Sequence, residues 1–139
     1  MDRQRRRAEP GAQSRPRVLV VEDDDDLRDA LVELLSSRGF DVRPASDGKQ
    51  GLDQLRSWLP DLVVTDLGMP VLDGHSLRAA QLEAPELAAI PLIVVSGSAQ
   101  QQEEAERMSA AAVVRKPFRA EDLLSVVSSC LRRRIVTNS

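Results

Sequence analysis

The amino-acid sequence predicts an α/β protein in which helices cover both faces of a five-stranded parallel sheet. Five short apolar runs recur along the chain, and segments with helical spacing alternate with them. Parallel neighbouring strands need a crossover connection, usually a helix, so this alternation favours a doubly wound parallel sheet. The length of 139 residues and the apolar fraction of 42% suffice for one domain with a single sizeable core.

The predicted strands lie at residues 17–21, 40–45, 62–66, 91–96 and 112–115. The first helix ends at Gly39 and has an amphipathic stripe made of Leu27, Ala30, Leu31, Leu34 and Leu35. The next helix carries Trp58 and is stopped by Pro60. Further helices are predicted at 76–83 and 99–108, and the last follows a stripe made of Leu123, Leu124, Val127 and Leu131. The connection from 85 to 91 is predicted to be irregular, with at most a helical turn.

Charge is unevenly distributed along the chain. Residues 1–17 contain six arginines against Asp2 and Glu9, a net charge of +4, which leaves −7 for the rest of a chain whose total is −3. Residues 1–16 lack apolar periodicity, so we predict a disordered, solvated basic leader, followed by the domain at 17–134 and a C-terminal tail at 135–139. The acidic body argues against nucleic acid as the main ligand.

Two features indicate a cytoplasmic protein without membrane contact. No apolar run approaches the roughly 20 residues of a membrane span. The single cysteine, Cys130, cannot form an internal disulfide, which fits a reducing compartment, and it is predicted to be a small hydrophobe on a helix.

Asp66 follows the third apolar run, after which Gly68 and Pro70 stop the strand. Open α/β sheets bind ligands at the carboxyl ends of their strands, so Asp66 lies where a site is expected. Taken alone, a carboxylate that starts a turn is the simpler interpretation, and a functional role needs partners elsewhere in the chain.

Such partners follow the other strands. Glu22 and Asp23 begin a run of five acids after the first strand, Ser96 follows the fourth strand and Lys116 the fifth. The remaining acids of the run are explained as the N-cap and first turn of a helix: Asp24, Asp25 and Asp26. That explanation does not require the first two acids.

If the first and third strands are neighbours, Glu22, Asp23 and Asp66 converge. Two like charges about 4 Å apart repel by about 4 kcal/mol at an effective dielectric of roughly 20, so the cluster needs cations. Lys116 supplies one positive charge, and a divalent ion bound through oxygen would neutralise the rest. The oxygen donors, without His or Cys beside them, favour Mg²⁺, with Mn²⁺ as the other candidate.

Magnesium held by carboxylates usually completes its shell with phosphate oxygens, which predicts phosphoryl transfer. Asp66 would be the nucleophile and would form an acyl phosphate. Lys116 would pair with one phosphoryl oxygen, and the Ser96 hydroxyl would donate to another. Lys116 is one of only two lysines, with Lys49, in a chain rich in arginine, which suggests a role for a compact point charge.

Over residues 17–134 the chain resembles the receiver domain of bacterial two-component response regulators. Four groups of motifs occur in the expected order: Val20-Val21-Glu22-Asp23, Thr65-Asp66-Leu67-Gly68-Met69-Pro70 with Asp73-Gly74, Val95-Ser96-Gly97, and Arg115-Lys116-Pro117-Phe118. Each is weak alone, and the ordered set is specific. The resemblance implies a flavodoxin-like sheet with strand order 2-1-3-4-5.

The resemblance also implies roles for these residues. Asp66 would accept phosphate from a phosphohistidine on a sensor histidine kinase or phosphotransfer protein. Mg²⁺ would be bound by Glu22 or Asp23, by Asp66 and by the backbone carbonyl of Gly68. The bond before Pro117 is expected to be cis. Phosphorylation would draw Ser96 inward and change the partners of the face made by the fifth strand and its two flanking helices, the downstream partner being unknown.

One departure from the family concerns Val113, three positions before the lysine, where receivers usually have an aromatic side chain. The chain has no tyrosine, so an aromatic switch is unavailable and output is expected through loop and helix shifts. Residues expected to adjust switching or phosphoryl lifetime are Ser96, Gly97, Ser98, Val113 and Gly68.

Since no effector domain follows Ser139, we expect a stand-alone receiver, a signalling phosphoacceptor and not an enzyme with a separate substrate. Val113 motivates the alternative of a pseudo-receiver, a protein-binding module that does not switch. A Mg²⁺-dependent phosphatase is disfavoured because Gly68 stands where a general acid is often found. Direct DNA binding is not expected, because no helix-turn-helix follows. His75, the only histidine, is not expected to bind a metal.

Overall fold

A computed structural model describes residues 15–67 and 74–138 of the chain. The first half contains β1 (Arg17–Val21), α1 (Asp25–Ser37), β2 (Asp41–Ala45), α2 (Gly48–Trp58) and β3 (Leu62–Asp66). The second half contains α3 (Gly74–Gln81), the short α4 (Pro85–Ala88), β4 (Leu92–Ser96), α5 (Ala99–Arg107), β5 (Ala112–Arg115) and α6 (Ala120–Asn138).

The five strands form one parallel sheet in the order β2-β1-β3-β4-β5. The predicted fold class and strand order are therefore confirmed. Val21 pairs with Thr65, Asp66 pairs with Val95, and Ser96 pairs with Arg115. This register brings the carboxyl ends of β1, β3, β4 and β5 together at one side of the sheet, which we call the carboxyl edge.

Alternate strand residues pack into two apolar layers, as expected for a sheet with helices on both faces. On one face Leu19, Val63 and Val94 lie in a cluster with residues of α2, α3, α4 and α5, such as Leu55 and Leu77. On the other face the neighbouring strand residues pack against α1 and α6: Val18, Val20, Val64, Ile93, Leu31, Leu35, Leu123 and Val127. The sheet is thereby held rigidly beneath its carboxyl edge.

Side-chain caps explain where three helices begin. Asp24, Asp47 and Ser98 each have extended backbones, and each side-chain oxygen accepts a hydrogen bond from the backbone N–H three residues later. Such caps satisfy amides that have no partner inside the helix. Gly39, with φ of +95°, follows α1 in a conformation that glycine adopts without a steric penalty.

Several predicted boundaries differ from the structure. β2 begins at Asp41 and α3 covers Gly74–Gln81. The connection before β4 contains the single helical turn, α4, that the sequence allowed. The backbone of α6 continues to Asn138 across the residues assigned to a tail, because no glycine or proline after Arg134 stops the helix. Ala30 is exposed on α1, so the buried stripe there is narrower than predicted.

Within the described ranges, no helix combines the length and the apolar character that crossing a membrane requires. Most of the predicted basic leader, residues 1–14, lies outside the described residues.

Candidate functional site

The carboxyl edge gathers the residues that follow four of the strands. Glu22 comes directly after Val21, whose partner on β3 is Thr65, so Glu22 is level with Asp66 in the register. Carboxylate oxygens of Glu22, Asp23 and Asp66 all lie within 4.8 Å of one another. The convergence of three carboxylates that the sequence predicted is therefore present.

Glu22 is the buried member of this cluster, with 3% of its surface exposed. Its backbone N–H donates to the Ala45 carbonyl at 3.0 Å, which continues the pairing of β1 with β2. Its carbonyl accepts from Arg28 Nη1 at 2.9 Å, and its Oε2 accepts from the Asp24 N–H at 3.1 Å. Backbone and side chain are thus both held in place.

Burial raises the pKa of Glu22 from 4.5 to about 7, and the neighbouring Asp66 and Asp23 add to the rise. The hydrogen bond from the Asp24 amide and the charge of Lys116 act in the opposite direction on this pKa. Burial is the largest cause of the upward shift, and the neighbouring carboxylates disfavour the charged form of Glu22 further.

Asp66 is half-buried at the end of β3, and Asp23 is exposed. Asp66 Oδ1 accepts a hydrogen bond from the Leu67 N–H at 2.9 Å, which fixes the orientation of the carboxylate. Thr65 is fully buried beneath it, and its hydroxyl donates to the Asp66 carbonyl at 3.0 Å. Exposure within the cluster therefore decreases from Asp23 to Asp66 to Glu22.

Ser96 is fully buried at the end of β4, directly after Val95, the strand partner of Asp66. Its hydroxyl donates to the Ser98 carbonyl at 2.6 Å and accepts from the Ser98 N–H at 3.3 Å. The hydroxyl is thus turned into its own loop. Gly97 is exposed at the start of that loop, and Ser98 is the N-cap of α5.

Lys116 follows β5 and is half-buried. Its backbone N–H donates to the Ser96 carbonyl at 2.8 Å, which extends the pairing of β4 with β5 by one residue. The peptide bond between Lys116 and Pro117 is cis, as the resemblance predicted. The charge of Lys116 lowers the pKa of Glu22, so its side chain acts on the acidic cluster.

Three other residues that the sequence analysis discussed are Val113, Gly68 and His75. Val113 lies on β5 opposite Val94 and is half-buried against the cluster that includes residues of α5. Gly68, predicted to offer a backbone carbonyl, lies outside the described residues, and so does the side chain of His75.

Sequence reasoning missed two residues that support the site. Gln101 Oε1 accepts from the Gly97 N–H at 2.7 Å, and its own backbone N–H donates to Ser98 Oγ at 3.1 Å. The spacing Ser98-x-x-Gln101 is that of a capping box and could have revealed this pair. Arg28, which also pairs with Asp25 at 2.6 Å, gave no comparable signal.

Comparison with known proteins identifies the family. The family description "Response regulator receiver domain" matches residues 18–128, which is most of the chain. The chain belongs to the response regulator receiver domain family. It is a phosphoacceptor domain of two-component signalling, as its predicted motifs implied.

Two individual proteins are similar to this chain over most of its length. The chain is 38% identical over 126 residues to the transcriptional regulatory protein PrrA of Mycobacterium leprae, covering 89% of this chain and 53% of PrrA. It is 36% identical over 122 residues to the sensor histidine kinase TmoS of Ectopseudomonas mendocina, covering 86% of this chain and 12% of TmoS. The chain thus spans about half or less of these two relatives.

A solved structure supports the fold. The receiver domain protein (CheY-like) from Methanospirillum hungatei superposes with a TM-score of 0.80 at 25% identity, covering 89% of this chain and 99% of that chain. Similarity in sequence and in fold therefore extends over nearly the whole described body.

Proposed function

We propose that the protein receives a phosphoryl group on Asp66 from a phosphohistidine, and that this modification changes the proteins it binds. The observation that carries the proposal is the clustering of Glu22, Asp23 and Asp66 within 4.8 Å at the carboxyl edge of a receiver fold. The donor is a sensor histidine kinase or a phosphotransfer protein, and the downstream partner is a protein that distinguishes the two forms.

In the proposed reaction, an Asp66 carboxylate oxygen attacks the phosphorus of the phosphohistidine. The new P–O bond forms as the P–N bond breaks, and the electron pair of that bond stays on the imidazole nitrogen. The Leu67 N–H, which already bonds Asp66 Oδ1, orients the carboxylate for attack. Lys116 would pair with one phosphoryl oxygen, and Ser96 would donate its hydroxyl to another.

The donor set at this edge fits a magnesium ion. Three carboxylates offer hard oxygen ligands within 4.8 Å of one another, and a divalent cation would compensate their like charges. Glu22 or Asp23, together with Asp66 and the Gly68 carbonyl, would hold Mg²⁺, or Mn²⁺ in its place. When bound, the ion would offset the repulsion between the carboxylates and the incoming phosphoryl oxygens.

The direct test is phosphorylation by acetyl phosphate with Mg²⁺, measured by intact mass. We expect one phosphoryl adduct on the unmodified protein, none on Asp66→Asn, and one on the control Asp53→Asn, which alters an exposed carboxylate on α2. Removal of Mg²⁺ with a chelator should suppress the adduct, and Asp23→Asn should raise the Mg²⁺ concentration required. An adduct on Asp66→Asn, or none on the unmodified protein, would overturn the proposal.

The cellular location of the protein and the absence of direct DNA binding are also proposals. A kinase or phosphotransfer donor and the unpaired Cys130 are consistent with a cytoplasmic location. PrrA is described as a transcriptional regulatory protein. For this chain we predict no direct binding to DNA. Measuring its binding to duplex DNA at low and physiological salt checks this prediction.

The pseudo-receiver is the second candidate. The half-buried Val113 favours it, because this position holds no aromatic side chain that could respond to phosphorylation. Hydrogen exchange of α5, β5 and α6 separates the two functions. A change on adding beryllofluoride and Mg²⁺ supports a switching receiver, whereas exchange that stays the same supports a fixed binding module.

A further inference from the structure

We propose that Gln101 is a positioning residue that restrains phosphorylation of Asp66. Its side chain stabilises the conformation of the turn between β4 and α5 in which the Ser96 hydroxyl donates to the Ser98 carbonyl. We call this form the latch, made of Ser96, Gly97, Ser98 and Gln101. The inference rests on the proposed function and adds a route by which the modified site acts on α5.

The first step concerns the Ser96 hydroxyl, which has a single hydrogen to donate. That hydrogen is used at 2.6 Å by the Ser98 carbonyl. Asp66 pairs with Val95, the residue just before Ser96, so a phosphoryl group on Asp66 lies beside the end of β4. To donate to a phosphoryl oxygen, the Ser96 hydroxyl must release the Ser98 carbonyl.

The second step concerns Gln101, which bonds the same turn from two sides. Its Oε1 accepts from the Gly97 N–H at 2.7 Å, and its backbone N–H donates to Ser98 Oγ at 3.1 Å. The Ser98 carbonyl that Ser96 uses also accepts the Gln102 N–H of α5 at 3.0 Å. The Ser96 hydroxyl and the first turn of α5 therefore belong to one hydrogen-bonded unit.

The backbone of Ser96 is held more firmly than the residues that follow it in this hydrogen-bonded unit. The Ser96 carbonyl accepts the Lys116 N–H at 2.8 Å, so the backbone at the end of β4 is held by β5. Reorientation of the hydroxyl therefore occurs by rotation of the Ser96 side chain, which breaks its bond to the Ser98 carbonyl and releases residues 97–98 to move. Movement of that segment displaces the cap of α5, which gives the site an output that does not pass through Val113.

The test compares Gln101→Leu, which removes the acceptor at similar size, with Gln101→Glu, which keeps an acceptor. The control is Gln100→Leu, an exposed neighbour on the same helix. Affinity for beryllofluoride with Mg²⁺ is measured by NMR titration of the Gly97 amide. We expect Gln101→Leu to bind about fivefold more tightly than the unmodified protein, the effect of losing about one net hydrogen bond in the latched form.

Gln100→Leu should bind within about twofold of the unmodified protein, since it keeps the bond to Gly97. Gln101→Glu keeps that acceptor but adds a negative charge beside an anionic ligand, so it should bind no more tightly than the unmodified protein. Hydrogen exchange at residues 97–102 should be faster in Gln101→Leu without ligand and should rise in the unmodified protein on adding beryllofluoride. Gln101→Ala provides a second variant if the leucine disturbs folding. A gain in affinity is not an effect expected of structural damage.

The outcomes separate this inference from the proposed function. If the unmodified protein binds no beryllofluoride and gains no phosphoryl group, the proposed function fails and the latch fails with it. If the unmodified protein binds beryllofluoride, but Gln101→Leu and Gln101→Ala bind equally or more weakly, only the latch is overturned.

Discussion

Charged residues occur at both ends of the strands, but the contacts they make differ between the two edges of the sheet. At the amino edge, where β1 and β3 begin, the Arg17 N–H donates to Asp61 Oδ2 at 2.8 Å and Arg17 Nη1 donates to the Trp58 carbonyl at 2.6 Å. The Arg17 and Arg43 guanidinium carbons lie 5.5 and 4.6 Å from the Trp58 ring centre. The backbone amide and the guanidinium of Arg17 are paired with oxygen acceptors there, and an aromatic face lies beside two guanidinium groups.

At the carboxyl edge, like charges are brought together. Glu22 is buried beside Asp66 and Asp23, and its pKa is raised because the folded protein disfavours its charge. Groups whose hydrogen bonds are satisfied stabilise a fold, whereas an excess of charge of one sign weakens it until an oppositely charged ligand binds. The difference predicts that substitutions at the amino edge reduce stability, while neutralising a carboxylate at the carboxyl edge increases it.

The largest expected effect is at the amino edge. Trp58 is 4% exposed and packs in the core cluster with Leu19 and Leu55. Trp58→Ala should lower the free energy of unfolding by about 3–5 kcal/mol, because it removes a large buried side chain and leaves a cavity. Urea unfolding followed by circular dichroism measures this loss.

The matched control is Leu82→Ala, because Leu82 is an exposed apolar residue with 55% of its surface accessible. It should change stability by no more than about 0.5 kcal/mol. The fraction of Trp58→Ala that remains folded should still accept a phosphoryl group on Asp66. A stability loss as small as that of the control would remove the structural role assigned to the amino edge.

The contrast between the edges also explains what the sequence could predict. Glu22, Asp66 and Ser96 each lie at the end of an apolar strand, and parallel strands bring their carboxyl ends to one edge, so the fold class could be inferred from spacing. The convergence of the acids also required β1 beside β3, and that strand order was implied by the family resemblance. Their functional roles stay predictions, because position alone does not establish chemistry. The Trp58 contacts could not be predicted in this way, because they depend on side-chain directions at the end of a helix.

Local geometry likewise limited the prediction of the latch. The residue types in Ser96-Gly97-Ser98 indicated a site, but the direction of the Ser96 hydroxyl depends on a competing acceptor, the Ser98 carbonyl, only two residues away. The end of the last helix was misplaced because α6 has no glycine or proline after Arg134, and its backbone continues to Asn138.

The next largest effect is expected at the carboxyl edge, where Glu22→Gln removes a carboxylate. Between pH 4.5 and about 7, folded Glu22 keeps a proton that the unfolded chain has released, so the stability of the unmodified protein falls as the pH rises through this range. Glu22→Gln lacks this loss. Its stability relative to the unmodified protein should therefore increase by about 2–3 kcal/mol from pH 5 to pH 8 in Mg²⁺-free buffer.

Chemical denaturation at several pH values, with a chelator present, measures this difference. Glu33→Gln alters an exposed carboxylate on α1 and should show no such increase. Adding Mg²⁺ should reduce the advantage of Glu22→Gln, because an ion that binds the folded state stabilises the unmodified protein. Parallel pH profiles for the unmodified protein and Glu22→Gln would show that burial of Glu22 carries no electrostatic cost.

The smallest effect is expected from Arg17→Met, which keeps the apolar stem of the side chain but removes the guanidinium. The variant loses the bond to the Trp58 carbonyl and the contact with its ring, while the backbone bond to Asp61 remains. We expect a loss of about 1–2 kcal/mol in urea unfolding, and a smaller loss for Arg17→Lys, which retains a cation. Phosphorylation of Asp66 should proceed at an unchanged rate in both variants, because the amino edge lies at the other end of the strands. A slower rate in Arg17→Met alone would mean that the two edges are energetically coupled and that their division into a stabilising and a reactive edge is wrong.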